Sequence, residues 1–216
     1  VLPGGKLRPR AAVARAADRD RGGRAEIPVW RAKERKHTDE TPITVGIMTD
    51  VSGSMGRNSE PSAVLTYVLS NAVSRIDGKV ATAVFGTRGY LVNRAHERAT
   101  EVQPWRASDG TEAFREGALL IDAELRLLDG DGARILVVFS DAHLVNDDDA
   151  EYARTFMRLC KQKNVAVVWC TYGREPINNF GHGALLELSG TAADIANTLG
   201  AAITTEVQKI EASRGA

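Results

Sequence analysis

"ITVGIMTDVSGSMG", residues 43–56, starts as a β-branched run that is apolar on both faces and ends in a turn bearing Asp50, Ser52 and Ser54. A run of the first kind is what a central strand of a helix-covered parallel sheet looks like. The turn, loosened by Gly53 and Gly56, presents one carboxylate and two hydroxyls at alternate positions. Three readings compete for it: a metal site, a serine nucleophile and an ordinary capped turn.

Outward from this stretch the same kind of run recurs as "VATAVFG" (80–86), "RILVVFS" (134–140) and "NVAVVWC" (164–170). Amphipathic segments separate the runs. Val64, Leu65, Val68, Leu69 and Val73 keep helical spacing, as do Phe114, Ala118, Ile121, Leu125 and Leu128. A third segment carries Tyr152, Phe156 and Leu159. The last carries Ile195, Leu199, Ile203, Val207 and Ile210, opened by Thr191 and Asp194 at capping-box spacing. The glycines of "FGTRGYLVN" (85–93) predict a hairpin and hence one antiparallel edge strand, and "ALLELSG" (184–190) supplies a last strand. The predicted order, β-α-β-β-α-β-α-β-β-α, describes a doubly wound, Rossmann-like α/β domain with a mostly parallel sheet flanked by helices.

The chain has 216 residues, 43% hydrophobic and 26% charged, which suits one well-buried core and argues against disorder. No apolar run approaches the roughly 20 residues of a membrane helix. The basic N-terminus lacks the apolar stretch of a signal peptide, so a cytoplasmic protein is expected. Cys160 and Cys170 read as two buried thiols rather than a disulfide. Net charge is zero, yet eleven of the 28 Lys and Arg fall in residues 1–40, against six of the 28 Asp and Glu. The expected division is a basic N-terminal extension or linker over 1–40 and the α/β domain over 41–216. Within the extension, Ala11 to Ala17 suggest a short helix, and "EIPVWRAKE" an edge strand or a Trp30 packed on the main domain. Trp30 is its one aromatic, so stacking residues do not interleave with the charges and nucleic acid is a poor fit.

In such sheets, ligands bind beyond the carboxyl ends of the strands where strand order reverses. Asp50, Ser52 and Ser54 follow the first strand, Asp141 follows "RILVVFS", and Thr111 in "SDGTEA" opens the helix before that strand. Together they offer two carboxylates and three hydroxyls. An all-oxygen set of this kind suits Mg²⁺ or Mn²⁺. It has too few carboxylates for a tight calcium cage and no nitrogen or sulfur for zinc.

"DVSGSM" after an apolar strand resembles the D-x-S-x-S motif of von Willebrand factor A (VWA) domains, the first part of their metal-ion-dependent adhesion site. Thr111 of "DGTE" resembles the second part, with Asp109 in place of the first glycine of Gly-Gly-Thr. Asp141 of "VVFSDAH" resembles the third, usually Thr-Asp-Gly or Ser-Asp-Gly, with Ala142 replacing the glycine and stiffening that loop. The resemblance spans residues 42–212. It implies that Ser52, Ser54 and Thr111 coordinate a Mg²⁺-type ion through hydroxyls and that Asp50 and Asp141 act directly or through water. A partner's Asp or Glu would complete the shell, making a non-enzymatic binding module. "SGSM" resembles the intracellular bacterial and archaeal branch. The basic "GGKLRPRAAVARA" arm ahead of a Trp-bearing strand is similar to cobaltochelatase-type subunits, which implies an AAA+ ATPase of chelatase or MoxR kind, or its client, as partner.

Taken singly, Asp50 and Ser52 cap an Asx turn, and Thr111 is a helix N-cap; five positions on three separated segments favour a joint site. One alternative keeps the domain but makes the site structural only, with the partner bound elsewhere. Another is a serine hydrolase using Ser54. "SGSMG" departs from G-x-S-x-G only at Ser52, and Asp141 and then His143 or His182 follow in hydrolase order. No Gly-rich oxyanion segment precedes it, however. Asp50 as a phosphoryl acceptor would need a second acid where Ser52 stands, and no glycine-rich phosphate motif supports nucleotide binding. Trp169 reads as core, Trp105 as core or as a rim of the site, Asp147 to Asp149 as helix-start charges, and His182 as exposed. Asp50 is expected at a surface strand end, where substitution by Ala would spare the fold.

Overall fold

The computed structural model describes residues 6–7, 30–31, 42–172 and 180–214. The chain forms two compact units, Val1–Glu40 and Thr41–Ala216. In the first, β1 (Lys6–Leu7) and β2 (Trp30–Arg31) pair antiparallel, so "EIPVWRAKE" contributes a strand paired within its own unit. The helix suggested for Ala11 to Ala17 lies outside the described residues.

The second unit runs β3 (Ile43–Asp50), α1 (Ser59–Arg75), β4 (Lys79–Phe85), β5 (Gly89–Asn93), α2 (Phe114–Leu125), β6 (Ala133–Phe139), α3 (Asp147–Gln162), β7 (Val165–Thr171), β8 (Ala184–Glu187) and α4 (Ala192–Arg214). That is the order expected. Its six strands lie as β5-β4-β3-β6-β7-β8, all parallel neighbours except β5, which pairs antiparallel with β4. Both faces are covered. Val45, Ile47, Ile135 and Val168 face α1 and α4, whereas Met48, Leu136, Val138 and Trp169 face α2 and α3. This division follows from side chains alternating across a strand. At Gly46 a Cβ would stand 2.5 Å from Ile121, so the glycine lets α2 settle onto β3. Phe114, the first residue of α2, stacks on Trp169 at 5.8 Å and meets Phe85 edge-on at 5.5 Å. The start of α2 is thereby pinned beside the strand ends.

The apolar spacing on α1 marks its inner face in part: Leu65 and Val73 are buried and Leu69 packs on the same core. Val64 and Val68 are 36% and 45% exposed, while Ser62, Thr66 and Ser70 are buried. The reason is the sheet beneath: Thr66 meets Thr49 at 3.3 Å and Ser70 meets Thr82 at 3.4 Å, so hydroxyl pairs take the place of apolar contacts. On α4 the capping box forms as read, with Thr191 N donating to Asp194 Oδ2 and Asp194 N to Thr191 Oγ1. Both cysteines are free and buried, and burial pushes the Cys160 thiol up to about 12. Among the described residues no helix is long and apolar enough to cross a membrane.

Candidate metal centre

The chain leaves β3 for β4 on one side and returns to β6 on the other, so the carboxyl ends of β3 and β6 form the crevice of the switch point. The register pairs Thr49 with Phe139. Asp50 and Ser140, each one residue further on, therefore sit side by side. Ser140 Oγ donates to Asp50 Oδ2 at 2.7 Å, and Ser52 N donates to Oδ1 at 2.8 Å. Asp50 is 0% exposed, which overturns its expected place at the surface: the ladders on both sides of β3 continue to its last residues. Burial pushes its carboxyl from 3.8 up to about 6. Hydrogen bonds from Ser140 and Ser52 oppose that rise, and the charge of Asp141 adds to it.

Beyond Asp50 a single turn of 3-10 helix, Gly53–Met55, carries Ser54 outward while the buried Met55 anchors it. Ser52 and Ser54 bring their Oγ atoms to 3.0 Å of one another. A second segment is laced to this turn through backbone. Gly53 N donates to Asp109 O at 2.8 Å and Asp109 N to Val51 O at 3.3 Å. The Asp109 side chain points the other way, accepting from Thr87 N at 2.8 Å, and a Cβ on Gly86 would stand 2.3 Å from its Oδ2. Asp109 thus fastens the segment to the β4–β5 turn. Thr111, exposed, follows two residues after the bridge between Ser52 and Asp109. It is not the helix cap. That position is Ala113, which makes no side-chain cap, and Arg115 N is instead met by Asp149 Oδ1 of α3 at 2.9 Å.

The third segment follows β6. Asp141 is half-buried, and its Oδ1 accepts from His143 N at 3.1 Å. Ala142 takes a left-handed φ of +58, which costs an alanine about 1–2 kcal/mol and a glycine nothing. Its N–H donates to Ser140 Oγ at 2.9 Å. Glu112, 5% exposed, ties the second segment to the third by accepting from Val145 N at 3.0 Å.

Asp50, Ser52 and Ser54 therefore meet directly, and Asp141 is close enough for its charge to act on Asp50. Thr111 is joined to the group through its own backbone segment, with no side-chain hydrogen bond to the other four among the described residues. The sequence alone does not assign Ser140 or Glu112 to this site. The "SD" dipeptide hinted at Ser140, but only the register of β3 against β6 assigns it to Asp50. Among the described residues no three His, Cys, Asp or Glu side chains gather as a metal cluster, so a cation here would rest on hydroxyl oxygens. An all-oxygen set of two carboxylates with serine and threonine hydroxyls fits a hard divalent ion.

The hydrolase arrangement finds no support at His182. The residue is half-buried rather than exposed, and its Nε2 lies 3.0 Å from the carbonyl of Val165, which begins β7. That is the amino end of the sheet, opposite Ser54. Trp105 lines a small cavity with Thr66, Tyr67, Ser70 and Asn93, between α1 and β5. Trp169 is fully buried in the core as read.

The order of the sheet, the two helices on each face and the crevice at β3 and β6 define a VWA-like, Rossmann-type α/β fold. No established family profile matches the sequence, and no curated protein matches it. Solved structures do. An aerotolerance-related membrane protein from Bacteroides fragilis, carrying multiple mutations to serine, superposes with a TM-score of 0.54 at 15% identity, over 77% of this chain and 99% of its own. Proximal thread matrix protein 1 from the mussel byssus superposes with a TM-score of 0.56 at 13% identity, over 78% of this chain and 47% of its own. At such identities the likeness is one of fold alone.

Proposed function

We propose that this chain is a metal-dependent protein-interaction module rather than an enzyme. Asp50, Ser52, Ser54, Thr111 and Asp141 would hold Mg²⁺ or Mn²⁺, and an Asp or Glu of a partner protein would complete the shell. The observation that carries the reading is Asp50 itself. It is a fully buried carboxylate at the switch point with two donors fixing its oxygens and, among the described residues, no cationic side chain paired with it. Burying an unpaired carboxylate is costly, and a cation held by the adjacent hydroxyls would offset that cost. Ser140 orients the carboxylate, the Ser52 and Ser54 hydroxyls face one another, and the Asp109 and Glu112 contacts hold the three segments together. A bound cation would supply the charge that draws in a partner's carboxylate. The partner we favour is an AAA+ ATPase of chelatase or MoxR type, or its client, in the cytoplasm of a bacterium.

The test is isothermal titration of EDTA-stripped full chain with Mg²⁺ and Mn²⁺, with and without acetate as a stand-in carboxylate, beside Asp50→Asn. Binding that the substitution removes supports the module. Identical traces for both proteins under every condition would overturn it and favour a structural-only site, to which the Asx-type bond from Ser52 N already lends some geometry.

A further inference from the structure

Arg154, Arg158 and Lys161 stand at i, i+4 and i+7 on α3 and so share one face of the helix. With Phe180 and Gly181 they line a groove of about 450 Å³. All three are exposed. The side-chain ion pairs among the described residues join Arg94 to Glu124, Lys163 to Asp129 and Lys209 to Glu206, leaving this trio out. The groove floor is firm: Phe180 is 7% exposed and packs on Trp169 at 5.3 Å. Phe180 also takes a φ of +50, a conformation a bulky residue keeps only where packing enforces it.

We propose that this groove docks an acidic, extended segment of a partner protein, whose carboxylates pair with Arg154, Arg158 and Lys161. The spacing fits. Along a helix, residues four apart are separated by about 6 Å, close to the roughly 6.6 Å between alternate side chains of an extended chain. A nucleic acid fits less well. The Phe180 ring is already packed on Trp169 and offers no open face for a base. Arg154, Arg158 and Lys161 lie about 10 to 20 Å along α3 from the helix start that borders the candidate metal centre.

The experiment is fluorescence polarisation at low ionic strength, using full chain in EDTA and a fluorescein-labelled octapeptide of alternating Glu and Leu. Residues 1–40 also attract anions, so the readout is the difference between wild type and Arg154→Glu/Arg158→Glu. The double variant is expected to bind about tenfold more weakly. Circular dichroism checks folding, and Arg158→Gln alone, expected to show a smaller loss, stands in if the double variant misfolds. Equal binding by wild type and the folded variants would overturn the proposal. So would an oligothymidylate of equal charge competing as well as the peptide. Self-association of wild type that the double variant lacks would overturn it too, assigning the groove to the Asp147–Asp149 segment of a second copy.

Discussion

Replacing Asp50 by Asn in the metal-free protein isolates the energetic consequence of its burial. The carboxyl is pushed from 3.8 to about 6. At 1.36 kcal/mol for each tenfold in proton affinity, ionised Asp50 costs the folded state about 3 kcal/mol relative to a solvated carboxylate. The sign follows from the raised folded value. The folded protein holds this proton more tightly than the unfolded chain, so the stabilisation is complete below pH 3.8 and is lost as pH rises through 6. Asparagine does not titrate and keeps an acceptor for Ser52 N. Other groups titrate alike in both proteins and cancel. Urea unfolding in EDTA from pH 4 to pH 8 should therefore show the variant gaining on wild type by about 2.4 kcal/mol across that range, the rest having been lost already below pH 4, with most of the change between pH 4 and pH 6. Excess Mg²⁺ at pH 8 should raise the midpoint of wild type alone. A difference between the two proteins that does not vary with pH would refute the reasoning, because it would mean that water reaches Asp50 in the folded protein.

Two further substitutions probe the frame around the site. Gly86→Ala puts a methyl 2.3 Å from Asp109 Oδ2. It should lower stability by about 1–3 kcal/mol and weaken Mg²⁺ binding together, read by thermal melts and titration calorimetry, because the Thr111 segment loses its fastening to the β4–β5 turn. Arg126→Gly relieves an exposed left-handed residue at the C-cap of α2, φ 52. It should raise stability by about 1 kcal/mol and leave metal binding unchanged; a lower melting temperature would contradict the cap geometry.

Much of this architecture was legible in the chain because it is written in local terms. Apolar runs such as "RILVVFS" need burial on both faces, Thr191 and Asp194 cap α4 within one turn, and the glycines of "FGTRGYLVN" turn the β4–β5 hairpin. The alternation of Asp50, Ser52 and Ser54 beyond a buried strand marked the candidate site for the same reason. The less legible features depend on residues far apart in sequence. Val64 and Val68 have helical spacing, yet they face solvent because Thr49 and Thr82 on the sheet present hydroxyls to α1.

What the sequence determined by itself was the class of fold, the order of its elements and the three segments that meet at the switch point, since each follows from side-chain periodicity and turn chemistry. The tertiary structure decided the rest. It buried Asp50, set Ser140 against it through the β3–β6 register, turned Asp109 onto Gly86, and sent His182 to the opposite end of the sheet. Each of these is a relation between strands or loops brought together only by folding. No local pattern encodes how far one strand slides along its neighbour, and that offset determines which groups meet at the strand ends.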